Sequence, residues 1–251
     1  MTKRLHTYST DFTYNHYLRK EEKIMIEVLQ RETLPLGGFA GLKEHRLVMN
    51  PKLFGPQAGS GTWDGIGNLV YLADARFDPK GETHMHHHEE IDVISVMVEG
   101  QIEHQGTLGA GEILKAGDVQ VQRAGGDGFS HNEINPNNTR NRMIQIWILP
   151  EHKGETAEYR LYKTQPNQVT RVYGGEDDQD DTLASHTTIE IVSLSASQVF
   201  ILKRPFLAYL TIGEGTDNTL NFEEGDLIRG DQIYFKATSD VTMIVMQAET
   251  S

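Results

Sequence analysis

The sequence predicts an all-β protein made of two sheet-rich halves. From residue 69 onward, short apolar segments alternate with Gly-containing turns, and sustained helical periodicity is rare. The segments form two sets, one on each side of a stretch of mixed polarity at 150–181. Many short strands with this spacing are typical of β-sandwiches and barrels.

Strands are predicted where apolar and β-branched residues cluster between turns. The one helix predicted covers residues 20–31, ahead of the strands. Gly117-Asp118-Val119 and Gly225-Asp226-Leu227 each precede a strand, and this short internal echo is weak evidence of a duplication. In chain order, the predicted strands are 69–75, 91–98, 101–104, 119–123, 143–149, 189–194, 199–202, 206–212, 232–235 and 241–246.

Two polar segments fall outside this pattern. Residues 1–24 are rich in Tyr, Thr and Lys, and we expect either an ordered or frayed extension or a stretch upstream of the native start. The acidic run at 176–181 is expected to be a solvated loop.

Composition restricts the classes of function. The 251 residues include 23 Lys+Arg and 36 Asp+Glu, a net charge of −13, which argues against direct binding of nucleic acid through a basic surface. Because Cys is absent, any metal must be held by His, Asp or Glu. The chain has neither a long apolar segment nor a signal-like start, so we expect a cytoplasmic protein without a membrane span.

Histidines are concentrated at one place. Four of the 11 fall within residues 84–88, and on a strand His84, His86 and His88 would share one face. The face is expected to continue through Glu90 and Asp92 and to be the inner one, because later positions of the same parity are apolar. These positions are Ile94, Val96 and Val98.

A second pair of potential ligands follows about forty residues later. His131 and Glu133 are two residues apart and come after the Gly-rich turn at 124–128, which predicts a second strand beside the first. Imidazole and carboxylate groups in this arrangement are suited to a first-row transition metal. The competing interpretation is a His-rich surface loop without metal. His45 and His104 are expected to be surface or hydrogen-bonded histidines.

Residues 81–136 resemble the pirin family of bicupins. The first motif of that family reads His-Pro-His-x-x-x-Glu, followed by Gly, and here His86, His88, Asp92 and Gly100 have the same spacing. The second motif, His-x-Glu, corresponds to His131-Asn132-Glu133. The segments 98–104, 116–120 and 145–151 are also similar to the family.

The resemblance implies two jelly-roll cupin barrels in tandem and a metal held by His86, His88, His131 and Glu133. The divisions expected are an extension and lead-in at 1–40, a metal-binding cupin at 41–151, and a degenerate cupin without metal at 152–251. The metal would be Fe(II), with Ni, Cu, Mn or Zn as alternatives. Two residues depart from the motif, since His87 replaces the family Pro and Asp92 the Glu. A second register, with His84, His86 and Glu90, therefore stays open.

Pirin-like bicupins are associated with the cleavage of flavonols such as quercetin by O₂ and with redox-responsive co-regulation of transcription. The first association implies a small-molecule substrate, O₂ and a catalytic Glu133 that accepts a proton. The second implies a non-enzymatic metal-dependent sensor that acts through a protein partner, without direct contact with nucleic acid. A metal-free structural bicupin is a third interpretation.

Overall fold

The computed structural model describes residues 25–109, 111–176 and 179–249, and nearly all regular structure in them is β. Its one α-helix, α1, is a single turn at Pro51–Phe54, and 3₁₀ turns lie at Arg31–Thr33 and Gly55–Gln57. The described residues contain no helix that could span a bilayer. The strands of the first two thirds are β1 (Ile26–Gln30), β2 (Leu36–Phe39), β3 (Leu42–Met49), β4 (Leu69–Phe77), β5 (His86–His88), β6 (Asp92–Glu99), β7 (Gln101–Gly106), β8 (Glu112–Lys115), β9 (Asp118–Arg123), β10 (Phe129–Ile134), β11 (Arg142–Ile148) and β12 (Glu158–Lys163). They are followed by β13 (Val169–Gly175), β14 (Ser185–Leu194), β15 (Val199–Leu202), β16 (Phe206–Ile212), β17 (Gly215–Thr216), β18 (Asn221–Phe222), β19 (Asp226–Gly230), β20 (Ile233–Ala237) and β21 (Val241–Ala248).

The strands form two barrels, each made of a large and a small sheet. The first combines a seven-stranded sheet of order β12-β9-β6-β11-β4-β3-β2 with a four-stranded sheet of order β5-β10-β7-β8. The second combines the orders β1-β19-β16-β21-β14-β13 and β15-β20-β17-β18. This architecture confirms the all-β prediction and the expected tandem of cupin barrels.

Two strands cross between the halves. β1 pairs with β19 of the second barrel, and β12 pairs with β9 of the first. The second barrel therefore includes a strand from the stretch expected to be the lead-in at 1–40, and the first barrel includes a strand from the stretch expected to form the second cupin. The division at residues 40 and 151 stays a proposal about sequence units.

The prediction of a helix at 20–31 is wrong for the residues of this segment that the structure describes. Residues 26–30 form β1 and residues 31–33 a 3₁₀ turn, whereas 20–24 lie outside the described residues. Ile26 and Val28 pack against the core of the second barrel, because the ladder with β19 places them there. The partner strand lies some 200 residues away, so a local pattern does not reveal it. The expected extension at 1–24 and residues 177 and 178 of the acidic run also lie outside the description.

The largest apolar core lies between the two large sheets, where residues such as Ile94, Ile146 and Tyr209 are fully buried. Side chains of opposite parity point into the first barrel. Along β6, Ile94 therefore packs toward the second barrel, while Ser95 faces the inside of its own. The inside of the first barrel is where the histidines meet.

Candidate metal centre

Two antiparallel strands bring the two sequence motifs together. In the ladder between β5 and β10, His131 lies directly opposite His86, and Phe129 lies opposite His88. Alternation along β10 sends His131 and Glu133 into the barrel. His87 points the other way, is exposed, and has its Nδ1 3.2 Å from Ser130 Oγ.

Three imidazoles converge inside the barrel. Nε2 of His131 lies 3.0 Å from Nε2 of His86 and 3.2 Å from Nε2 of His88. One ligand atom from each ring lies within 4.8 Å of the others, and Glu133 is not part of this compact group. His88 and His131 are buried, and His86 is half-buried.

The hydrogen bonds of the outer ring nitrogens show where the protons are. Nδ1 of His86 lies 2.9 Å from the carbonyl oxygen of His84. Because a carbonyl oxygen can only accept, Nδ1 carries the proton, and Nε2 of the neutral ring bears a lone pair. Nδ1 of His131 faces Nε2 of His104 at 3.2 Å. When Nδ1 of His131 donates to Nε2 of His104, Nε2 of His131 also bears a lone pair.

Two lone pairs 3.0 Å apart repel each other unless a cation lies between them, a proton on one ring or a metal ion. Two nitrogens bound to one transition ion at about 2.1 Å and at a right angle lie about 3 Å apart. The observed separations of 3.0 and 3.2 Å therefore fit a single ion held by three nitrogens. The site is suited to one mononuclear metal.

Burial keeps two of the rings neutral and ready to coordinate. Desolvation, helped by the neighbouring imidazoles, lowers the pKa of His131 to about 2 and that of His88 to about 4. Protons therefore compete poorly for these two nitrogens at neutral pH.

Glu133 lies beside the three rings as a buried carboxyl group. Its Oε1 accepts a hydrogen bond of 3.0 Å from Ser95 Oγ. Its side chain lines a cavity that the three imidazole rings also line. Burial raises the pKa of Glu133 to about 7, and the bond from Ser95 only partly opposes this. Such a carboxyl can accept or release a proton near neutrality.

The alternative register of ligands is not assembled in the structure. His84 is exposed with φ of 64°, and Glu90 has φ of 52° and accepts a hydrogen bond of 2.9 Å from Gly154 N. Because these left-handed residues flank β5, strand parity does not continue from the histidines into β6. The expected inner face through Glu90 and Asp92 to Ile94 was therefore wrong, since Ile94 packs toward the second barrel.

Asp92, at the position of the family Glu, lies away from the three rings. Its Oδ2 accepts hydrogen bonds from Tyr173 Oη at 2.6 Å and from Arg123 Nε at 3.1 Å. Tyr173 belongs to the second barrel, so Asp92 joins the two barrels. His45, with Nδ1 3.1 Å from Leu34 O, is the hydrogen-bonded histidine that was expected.

Gly128 allows β10 to approach β5. Its φ is +67°, and a Cβ there would lie 2.6 Å from both the His87 ring and the carbonyl oxygen of His88. A side chain at this turn would push apart the strands that carry the ligands.

Sequence reasoning did not place two parts of the site. His104 is hydrogen-bonded, as one of the expected alternatives had it, but its position, fully buried directly behind His131, was not predicted. Phe54, Tyr71 and Trp147 form an aromatic wall in the cavity of about 670 Å³ that the histidines also line. The Tyr71 and Trp147 rings are 4.6 Å apart, and Trp147 lies 5.5 Å from the His88 ring. No motif signals this wall, because its members come from α1, β4 and β11.

Comparison with known proteins agrees with this description. The family model described as Pirin matches residues 66–148. Quercetin 2,3-dioxygenase of Escherichia coli K12 is 34% identical over 107 residues, which are 42% of this chain and 46% of that protein, so the alignment spans less than half of the relative.

Solved structures share the fold over most of the chain. The bacterial pirin YhhW of Escherichia coli in complex with nickel(II) superposes with a TM-score of 0.77 at 22% identity, covering 90% of this chain and all of that one. Quercetin 2,3-dioxygenase from Acinetobacter baumannii gives a TM-score of 0.66 at 16% identity, with 89% and 85% covered.

Proposed function

Because the chain belongs to the pirin family, with the bicupin fold, we propose that it is a mononuclear metal dioxygenase that cleaves a flavonol or a related enol with O₂. The observation that carries this proposal is the convergence of three imidazole nitrogens beside an aromatic-lined cavity. His86, His88 and His131 are the proposed nitrogen ligands, and Glu133 is the proposed fourth ligand and proton acceptor. Fe(II) is the proposed metal, with Ni, Cu, Mn or Zn as alternatives.

The bound metal would supply open positions for a substrate oxygen and for O₂. Both atoms of O₂ enter the substrate in a dioxygenase reaction, so no external reductant is required. The protein contributes binding, orientation and control of protons.

The aromatic wall supports a planar substrate. Phe54 and Trp147 are nearly parallel, at 20° and 6.2 Å between ring centroids, and Tyr71 lies beside both. Aromatic surfaces of this kind favour offset stacking with a flat ring system. Since Trp147 is also next to His88, a ring on this wall lies close to the proposed metal position.

Glu133 supports the removal of a proton from an enol or phenol. The bond from Ser95 occupies Oε1, which leaves Oε2 as the oxygen for a ligand or a proton. The pKa of about 7 matches the proton affinity that a general base requires at neutral pH. The apolar surroundings reduce competition from water.

The proposal is tested by oxygen consumption with quercetin as the probe, using protein reconstituted anaerobically with Fe(II). We expect O₂ uptake in step with quercetin loss, a decrease of about 10² to 10⁴-fold for Glu133→Gln, and complete loss for His86→Ala/His131→Ala. His87→Ala is the matched control, because this ring is in the same strand but points outward. Protein that binds one equivalent of metal without consuming O₂ with quercetin would overturn the dioxygenase proposal and favour the metal-dependent sensor.

A further inference from the structure

His104 is buried behind His131 and contacts it at the nitrogen that faces away from the other two rings. His104 is on β7, the strand next to β10, and its Nε2 lies 3.2 Å from Nδ1 of His131. Nδ1 of His104 lies 2.8 Å from the carbonyl oxygen of Gly109. Both nitrogens of His104 are therefore engaged, and neither is available to coordinate an ion.

The direction of these bonds follows from their end point. A backbone carbonyl can only accept, so Nδ1 of His104 must be the donor to Gly109. The neutral ring then has a lone pair on Nε2, which can only accept from His131 Nδ1. The proton of His131 is thereby placed on Nδ1, and its Nε2 lone pair is directed at His86 and His88.

The end of this chain of hydrogen bonds is fixed by the fold. The β7–β8 connection folds back so that Gly111 N donates to His104 O at 2.9 Å, which brings Gly109 to the ring. Gly109 has φ of +69°, and a Cβ there would lie 2.4 Å from the Tyr159 ring. Tyr159 is on β12, which pairs with β9 of the first barrel. The Tyr159 ring of β12 thus packs against Gly109, whose carbonyl oxygen orients His104.

We propose that His104 is a positioning residue that fixes His131 in the tautomer with a proton on Nδ1, so that Nε2 is prepared to bind metal before the metal arrives. This inference rests on the proposed metal site but not on the proposed reaction. Hydrogen bonds to the outer nitrogen of a metal-bound histidine orient the ring and raise its basicity, and their loss costs about 10 to 100-fold in metal affinity. An imidazole released from this bond can place its proton on either nitrogen.

The direct test is the tautomer of His131 in the metal-free protein labelled with ¹⁵N-histidine. Long-range ¹H–¹⁵N correlation spectra distinguish a proton on Nδ1 from one on Nε2. We expect the Nδ1 tautomer for His131 in the wild type and a mixture or the Nε2 tautomer in His104→Leu. A wild-type His131 with its proton on Nε2 would overturn the proposal, and this result needs no variant to fold.

Affinity for Ni²⁺, measured by competition with a chelator, provides the second readout. We expect His104→Leu to bind Ni²⁺ about 10 to 100-fold more weakly. His104→Gln should recover most of the affinity, because its amide oxygen can accept the proton of His131 Nδ1. His87→Ala should bind like the wild type. Equal affinity in the wild type and His104→Leu would contradict the proposal, whatever the protein does with quercetin and O₂.

Discussion

Nε2 of His86 and Nε2 of His131 face each other at 3.0 Å across two paired strands, in rings whose outer nitrogens are engaged in hydrogen bonds. A cation between the two nitrogens relieves the repulsion of their lone pairs. The ladder between β5 and β10 and the hydrogen bonds on the outer nitrogens hold both rings with their Nε2 atoms directed at each other.

The buried carboxyl of Glu133 predicts a specific pH dependence of stability in the metal-free protein. Its pKa rises from 4.5 to about 7 on folding, so between these values the folded state holds more protons than the unfolded state. The protonated Glu133 side chain therefore contributes fully to stability below pH 4.5, and this contribution is lost as the pH rises through about 7. The free energy of unfolding decreases by about 3 kcal/mol over this range.

Glu133→Gln removes this effect. The free energy of unfolding of the variant, relative to wild type, should therefore increase between pH 4.5 and about 7, as measured by urea denaturation at a series of pH values. Parallel pH profiles for the two proteins would show that Glu133 is not the buried group described here.

Trp147 should report metal binding by fluorescence. It lies 5.5 Å from the His88 ring, and the chain has one other tryptophan, Trp63, which packs under Arg229 at 4.2 Å. Open-shell ions quench a nearby indole, so Ni²⁺ should decrease the emission of wild-type protein and of Trp63→Phe. Quenching that persists in Trp147→Phe would place the ion elsewhere.

Gly128→Ala should weaken metal binding through the backbone. The added Cβ would contact His87 and the carbonyl of His88 at 2.6 Å, at a residue with φ of +67°. We expect a loss of more than about 1 kcal/mol in stability together with weaker Ni²⁺ binding. Gly154→Ala is the matched control, because φ is +75° there but no atom lies within 4 Å of the new Cβ. It should lose stability by strain alone and keep its affinity for Ni²⁺, and an equal loss of affinity in both variants would refute the steric explanation.

Asp92 is predicted to stabilise the contact between the barrels and not the metal. Asp92→Ala removes the carboxylate 3.1 Å from the buried Arg123 guanidinium, which then keeps only the longer ion pair with Glu155 at 3.4 Å, and should cost about 3 kcal/mol. Tyr173→Phe removes a single hydrogen bond to the same carboxylate and should cost about 1 kcal/mol. Thermal unfolding gives both values. A loss of bound metal in folded Asp92→Ala would instead assign Asp92 to the metal site.

The sequence predicted the structure best where potential metal ligands fall in a segment with a strand-like pattern. The His-x-His and His-x-Glu pairs predicted the strands that carry these side chains. The apolar segments between Gly-containing turns predicted four of the seven strands in the first large sheet and three of the six in the second. Strand parity failed between β5 and β6, because the left-handed Glu90 lies between these strands and the chain passes there into another sheet.

The rest depended on long-range contacts. β1 is a strand because it pairs with β19, and His104 matters because β7 lies beside β10. A single histidine on a strand has the same neighbouring sequence pattern whether it lies on the surface or forms a hydrogen bond with a metal-ligand histidine. The aromatic wall likewise combines distant elements, so only the folded chain reveals it.

The most direct test of the metal site is the metal content per chain, measured by elemental analysis of protein purified without chelator or affinity tag. The account predicts close to one equivalent of iron, nickel, copper, manganese or zinc in the wild type and its loss in His86→Ala/His131→Ala. A low metal content that is the same in both proteins would contradict the account and leave a bicupin whose three histidines do not form a metal site.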